Sequence, residues 1–312
     1  MRKRIKKKTK LNCSDTIRVR ESSTPNITYP LAGEDGHLHP FYRELLANFE
    51  PEEIQYYAGL MDGDGSFALT TKGGKINPLI KMQISLTEEA AEPIIQLADK
   101  LDCTLSKIEF SEEYKIKNPR RRNTKPWYYL AIPKQKAWFF LYLIYPYLLE
   151  KKEAAKKLFM YQYKDFLETG GESRFHQRQF SYPYLAGYAD AEGYYKYKLN
   201  KGNSKNKFAF VFKLTSTDIG HMDYLGNTLL KLGYNVKLSK ITPKHLNGKR
   251  VKDQKTISLV GLQDLQKLYK HLMPFAKIKR KKRAMSMTCF YVDYLSPKFS
   301  KKGRRYSPGT WE

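Results

Sequence analysis

Two nine-residue segments of this chain are versions of one pattern. YAGLMDGDG at 57–65 and LAGYADAEG at 185–193 share alanine, glycine, aspartate and glycine in register, and both carry an acid at the eighth position. Their starts lie 128 residues apart. A second pair keeps that spacing: Tyr145-Pro146-Tyr147 precedes the lysine-rich KKEAAKK, Met273-Pro274-Phe275 precedes KIKRKKR, and the two prolines are again 128 residues apart. Two independent anchors at one offset make the body of the chain a duplication, so the second copy is expected to be a second domain. The 312 residues then divide into a basic, largely irregular extension (1–45), a first repeat (46–163), a linker with Gly170-Gly171 (164–180), a second repeat (181–295) and a tail (296–312). Near the end of the extension, Phe41, Tyr42, Leu45, Leu46 and Phe49 recur at helical spacing and can pack on a domain.

Between the anchors both copies follow one order. The first motif runs out of Pro51-Glu52-Glu53, a good helix start with acids over the positive dipole end, and stops at Gly65. Phe67 and Leu69 then alternate with polar neighbours at strand period, Gly73-Gly74 supplies a turn, and Ile80, Met82, Ile84 and Leu86 alternate on the return. A helix to about Leu101, strands near 104–115 and 126–132, and an aromatic-rich helix from about Lys134 complete the unit. The second copy gives helix 183–192, strands near 194–200 and 207–215, helix 218–232, strands near 235–242 and 254–260, and helices from 262. The fold class is therefore α+β, two tandem αββαββα repeats with antiparallel sheets.

One face of each sheet must cover its own helices, which leaves the other to solvent or a ligand. Alternation assigns Ser66, Thr70, Lys72, Lys81, Gln83, Lys107 and Ser111 to the outward face of the first sheet. It assigns Lys196, Lys198, Asn200, Lys213, Lys237, Ser239, Gln254 and Thr256 to that of the second. Such side chains bond base edges and phosphates. The charge balance points the same way: 57 Lys+Arg against 31 Asp+Glu gives +26, an excess suited to a polyanion and its counterions. Disorder, the other use of dense charge, is disfavoured by 41% hydrophobic content that includes 24 Tyr and 16 Phe. Cys13, Cys103 and Cys289 are too far apart for a disulfide framework or a zinc finger, which suits a reducing compartment. The longest apolar run, Ala137 to Leu149, is interrupted by Pro146 and falls short of the roughly 20 residues of a membrane helix. The basic MRKRIKKKTK start lacks the apolar stretch of a secretory signal and is expected to be a solvated tail, an import sequence or a basic arm.

The paired motifs resemble the signatures of the LAGLIDADG homing endonucleases in their single-chain, two-repeat form, and the resemblance covers about residues 50–290 with the same element order. Two departures stand out: Tyr57 occupies a position usually held by Leu, and Glu192 replaces Asp while keeping the carboxylate. The resemblance implies a β saddle over DNA with the motif helices packed at the domain interface. Ala58, Gly59 and Gly63, like Ala186, Gly187 and Ala191, place small residues where two such helices can cross with backbones nearly touching. That crossing would bring Asp64 and Glu192 together, where a hard divalent cation can bridge them and offset their repulsion. Asp62 and Asp190 are expected to be caps or packing partners. By resemblance, the main-chain carbonyls of Gly63 and Ala191 also face the metals, and a water-ordering residue follows the last strand of each repeat. Counting back from the proline markers gives Gln135 or Lys136 in the first copy and Gln263 in the second. The basic runs after those markers, and Arg120, Arg121 and Arg122 in a loop, are expected at DNA phosphates.

The implied activity is a monomeric homing endonuclease that hydrolyses one phosphodiester on each strand of a long, pseudo-asymmetric double-stranded DNA site. The family cuts across the minor groove with Mg2+ and leaves short 3′ overhangs; Mn2+ is expected to substitute, and Ca2+ to support binding without cleavage. The alternative is an RNA maturase that binds its host group I intron, though a maturase has no chemical need for the two carboxylates. Abundant Lys, Tyr, Asn and Ile suit an AT-rich organellar gene, in a mitochondrion or chloroplast; no membrane partner and no secretion are expected.

Overall fold

The computed structural model describes residues 17–18, 40–72, 75–84, 88–108, 127–132, 134–162, 180–200, 207–246, 249–259 and 261–295. Part of the expected irregular extension is ordered. A two-residue strand β1 (Ile17–Arg18) pairs at the sheet edge with Lys107 and Ser106, and helix α1 (Pro40–Leu46) buries Tyr42, whose ring stacks on Phe139 at 5.4 Å.

The first half runs α2 (Pro51–Asp64), β2 (Gly65–Lys72), β3 (Lys75–Ile84), α3 (Glu88–Lys100), β4 (Leu105–Ile108), β5 (Trp127–Ile132), α4 (Lys134–Ile144), a 3-10 turn at Tyr145–Tyr147 and α5 (Lys152–Gln162). The second half repeats it as α6 (Tyr182–Glu192), β6 (Gly193–Asn200), β7 (Lys207–Ser216), α7 (Ile219–Lys231), β8 (Val236–Leu238), β9 (Thr242–Leu246), β10 (Lys249–Leu259), α8 (Leu262–Leu272) and α9 (Lys279–Phe290). Among the described residues the strand expected over 235–242 is split, and β9 pairs antiparallel with an extended β10; the two residues between them in sequence are Asn-Gly, a dipeptide that favours tight hairpin turns.

Both sheets are antiparallel, with orders β1-β4-β5-β3-β2 and β6-β7-β10-β8, so β2 and β6 are edge strands. Leu105, Leu130 and Ile132 are buried in the first sheet, and Phe212, Leu214 and Ile257 in the second; these residues mark the faces that cover the helices. Among the described residues no helix is long and apolar enough to cross a membrane.

The two motif helices are started by different chemistry. In α2, Pro51 sits at the first position, and the Glu53 carboxylate accepts from the Glu50 N–H at 3.3 Å. In α6 the Ser181 hydroxyl accepts from the Tyr184 N–H at 3.3 Å. From Tyr56 to Asp62 and from Pro183 to Asp190 every residue is buried, so neither helix has a solvent face: each is core for the other.

Candidate active site at the crossing of the motif helices

Glycine is required at the crossing. A Cβ on Gly59 would lie 2.0 Å from the Tyr184 carbonyl oxygen, and one on Gly187 would lie 1.9 Å from that of Tyr56. Backbone, not a flexible side chain, fills the space. One turn on, a Cβ on Gly63 would meet Ala191 Cβ at 2.2 Å and Glu192 Cγ at 3.4 Å but backbone only at 3.6 Å, so the helix ends stay in contact while their backbones begin to part. Ala58 and Ala186 are fully buried beside the glycines. Because α2 passes straight into β2 and α6 into β6, this contact also brings the inner edges of the two sheets together at the acids.

Asp64 and Glu192 end the two helices. Burial first, and the Glu192 carboxylate second, push the Asp64 carboxyl up to about 6; the Lys281 and Lys151 ammonium groups pull against that rise. Asp64 is half-buried and Glu192 exposed, so the second acid reaches further toward solvent. Among the described residues no cluster of three or more His, Cys, Asp or Glu side chains could hold a metal. The Gly63 carbonyl, expected to face a metal, accepts from the Lys151 ammonium at 2.7 Å, and the Ala191 carbonyl lies 3.5 Å from that of Lys281; each carbonyl oxygen keeps a second lone pair. The charged oxygen donors are the two carboxylates. That donor set fits Mg2+, which typically binds through one or two carboxylates and keeps its remaining waters.

Two positions earlier, Asp62 and Asp190 lock the halves together. Asp62 accepts from the backbone N–H groups of Leu149, Glu150 and Lys151 at 2.7, 3.1 and 2.8 Å, just before α5. Asp190 accepts from those of Lys277 and Ile278 at 2.8 and 3.2 Å, just before α9. Each also takes a tyrosine hydroxyl from the opposite half at 2.7 Å, Tyr184 onto Asp62 and Tyr56 onto Asp190. Burial raises both carboxyls and these donors draw them partly back. Both acids are therefore structural.

Lys151 and Lys281 turn inward. Lys151 donates to the carbonyls of Met61, Gly63 and Gly65 at 3.0, 2.7 and 2.7 Å, and Lys281, only 7% exposed, to those of Ala189 and Asp190 at 2.8 and 2.5 Å. Burial lowers both ammonium groups, Lys281 to about 8. The expectation that these basic runs are phosphate contacts thus fails at several positions. Lys277 bonds Glu53 and Gln96 of the other half at 2.8 and 2.9 Å, whereas Lys279, 3.3 Å from Glu92, is exposed and open to a phosphate. Arg280, Lys282 and Arg283 remain exposed.

Two further expectations need correction. Lys136 is 3% exposed and its ammonium is held by the carbonyl and carboxylate of Asp102 at 2.5 and 3.1 Å, so it is a structural pair and not free to order water. Lys107 lies off the outward face: the register pairs it with Tyr128, in line with buried Leu105 and Leu130, because strand alternation puts positions 105 and 107 on one side. Gln263 is exposed in the first turn of α8. Positions 66, 70, 72, 81 and 83 share the outward register of the first sheet, with Ser66 exposed. Positions 196, 198, 200, 213, 237, 254 and 256 share that of the second, where Lys213 and Lys237 are exposed. Thr256 spends its hydroxyl on Thr215 at 2.9 Å, and the Ser239 hydroxyl accepts from the Thr256 N–H at 3.0 Å. Ser111, Arg120, Arg121 and Arg122, and the side chains at positions 70, 72, 81, 83, 135, 196, 198 and 200, lie outside the described residues.

Glycine-crossed helices that end in paired acids between two antiparallel sheets define the architecture of the single-chain LAGLIDADG meganucleases. Solved meganuclease structures share the fold over most of their length. The LAGLIDADG meganuclease I-AabMI bound to uncleaved DNA is 15% identical, with a TM-score of 0.54 over 80% of this chain and 92% of its own. The meganuclease I-SmaMI bound to uncleaveable DNA is 14% identical, with a TM-score of 0.51 over 77% and 88%. The LAGLIDADG homing endonuclease I-GzeII in complex with its DNA target is 11% identical, with a TM-score of 0.50 over 82% and 94%. No protein-family model matches the chain, and no curated protein matches it by sequence. The fold is the LAGLIDADG meganuclease fold.

Proposed function

We propose that the chain is a site-specific endonuclease for double-stranded DNA, hydrolysing one phosphodiester on each strand. The observation that carries this is the meeting of Asp64 and Glu192 at the ends of the crossed helices, where the edges of two sheets with basic outward positions come together. The similarity to meganucleases bound to DNA supports it. A maturase that only binds RNA gives no reason to place two carboxylates where Glu192 disfavours the charge on Asp64.

Asp64 and Glu192 would hold Mg2+, which supplies Lewis-acid stabilisation of the phosphoryl charge and a nucleophilic water at neutral pH. The chain's own contribution is positional. The glycine crossing fixes how far apart the two carboxylates stand, and Asp62 and Asp190 fix the helices against α5 and α9. The exposed Lys213 and Lys237 on the outward register of the second sheet offer contacts to base edges or phosphates. Cleavage across the minor groove with short 3′ overhangs belongs to the same proposal.

The test is selection of cleaved sites from a randomised duplex library, followed by the variants Asp64→Asn and Glu192→Gln on the selected site. Both should abolish double-strand cleavage while affinity in Ca2+ stays within about tenfold. A variant that cuts both strands at the wild-type rate would remove these acids from the mechanism, and a library with no cleaved site would remove the activity.

A further inference from the structure

We propose that residues 1–16 serve as a basic arm on duplex DNA, fastened by β1 to the outer edge of the first sheet, so that the first half grips phosphates beyond its own sheet and the second half does not. The proposal rests on the duplex target of the nuclease function above.

The anchor is β1. Thr16-Ile17-Arg18-Val19 carries three β-branched residues, the kind that a pleated surface accommodates best. Its centre, Ile17–Arg18, pairs antiparallel with Lys107 and Ser106 of β4, a strand that would otherwise present an unpaired row of N–H and C=O groups. In this sheet β1 and β2 are the opposite edges, and β2 is the strand that leaves Asp64. At about 4.8 Å between neighbouring strands, β1 stands roughly 19 Å across the sheet from the edge that carries the acid. The register runs the whole way. Position 18 opposes Ser106, Ser106 opposes Tyr129, and Tyr129 opposes Gln83 of the outward row. Residues directly opposite share a face, so β1 sets a basic position, Arg18, in the outward register at the far edge.

The charge precedes the anchor in sequence. Residues 1–16 lie outside the described residues; they hold seven basic residues, all from Arg2 to Lys10, against Asp15 alone. The segment that leads into the second repeat, 164–180, has three basic and three acidic residues and thus no net charge. Cations packed this densely repel one another, and a duplex with one phosphate charge per about 1.7 Å of axis relieves that repulsion. At no more than about 3.6 Å per residue, Lys10 stays within about 25 Å of Ile17. The pairing of β1 thus keeps the arm at the flank of the first sheet, and the two ends of a bound duplex are held unequally. A strand that only covered the edge of β4 would have no use for the cations before it.

The test compares three proteins in Ca2+ on a duplex with long flanks, its site selected by binding from a randomised library. They are wild type, a variant in which all seven basic residues from Arg2 to Lys10 become Gln, and Ile17→Pro with Arg18→Pro, which removes both N–H donors of β1 and keeps the arm's cations. Each is read by melting temperature, by hydroxyl-radical footprint and by the salt dependence of Kd. Wild type should protect further past one half-site than past the other. The Gln variant should lose only that extra protection and lower the salt slope by about three to six units, six being the loss if all seven cations meet phosphates. Its affinity for target and for unrelated duplex should fall by the same factor, about tenfold or more, because phosphates carry no sequence. The Pro variant should keep most of the slope and lose the lopsided footprint. A folded Gln variant whose slope stays within about one unit of wild type, or whose footprint shortens equally at both ends, would overturn the arm. So would a folded Pro variant that keeps the lopsided protection; where it does not fold, the Gln variant decides alone. Binding is read apart from cleavage. Wild-type protein that shows the lopsided footprint but cuts neither strand would overturn the nuclease reading and leave the arm standing, and a library that yields no bound duplex would overturn both.

Discussion

Asp64 is held at a cost that can be measured without any substrate. Its carboxyl ionises near 3.8 when unperturbed and is pushed up to about 6 in the folded chain, by burial and by Glu192. At 1.36 kcal/mol per pH unit, the interval is worth about 3 kcal/mol. The sign follows from which state keeps the proton longer, and here it is the folded one. Below about pH 4 the group is protonated in both states and the penalty is absent. It grows as the pH rises through the interval and is complete above about 6. Asp64→Asn cannot ionise, so at pH 8 in EDTA it should unfold with up to about 3 kcal/mol more stability than wild type. A kilocalorie moves the melting temperature of a chain of this size by roughly 2–4 °C, so the gain is several degrees. The difference should shrink steadily to nothing as melts are repeated at pH 6, 5 and 4. Mg2+ at pH 8 should raise the melting temperature of wild type and leave the variant nearly unmoved, since only the former has a charge pair to relieve. A variant that melts at or below wild type at pH 8, or a gap that persists at pH 4, would refute the inference that Asp64 is ionised against its surroundings.

Two other perturbations test the frame that holds the acids. Gly187→Ala drives a methyl to within 1.9 Å of the Tyr56 carbonyl oxygen, and separating the helices to accommodate it should cost at least about 1–3 kcal/mol, read as a lower melting temperature together with lost cleavage; an unchanged melt would sink the close crossing. Removing the hydroxyl from Tyr56 or Tyr184 takes one donor from a buried carboxylate, at about 1–3 kcal/mol, and Tyr56→Phe should be the more damaging in urea because Asp190 already has one unbonded oxygen while both oxygens of Asp62 are bonded. Equal or reversed urea midpoints would contradict that ordering.

The motif helices and the two acids were legible because the duplication marks them and because the residue types have few other uses at that spacing. Tyr56 and Tyr184 were legible in principle, since they too stand 128 residues apart, yet nothing local says that a tyrosine reaches across to the other half's aspartate. The lysines were not. Lys151 and Lys281 are 130 residues apart, so the repeat offset does not pair them, and a run of basic residues looks like a solvated face until the carbonyls it meets are known. Lys107 was misplaced because β4 is short and bounded by residues of mixed character; the burial of Leu105, not the polarity of position 107, sets its phase. Lys136 finds its partner in Asp102, on the far side of β4 and β5, a contact that only the folded chain creates.

The halves share a frame but not an interface, and the difference bears on why both are carried in one chain. Glu150, from the first half, accepts from Tyr188 at 2.8 Å and Ser216 at 3.3 Å of the second, and burial pushes its carboxyl up to about 7. At the offset of 128 its counterpart is Ile278, which can make no such bond. On the other flank Lys277 bonds Glu53 and Gln96, where the first half offers Leu149. A symmetric dimer of either half would present two identical flanks and could carry neither arrangement without its mirror. One chain with two diverged halves can hold each acid differently, Asp64 partly buried, Glu192 longer and exposed. For the proposed nuclease, that inequality matches a target whose two half-sites need not be alike. Each half can then be tuned to its own strand, because the crossing glycines, not the flanks, set the separation of the acids.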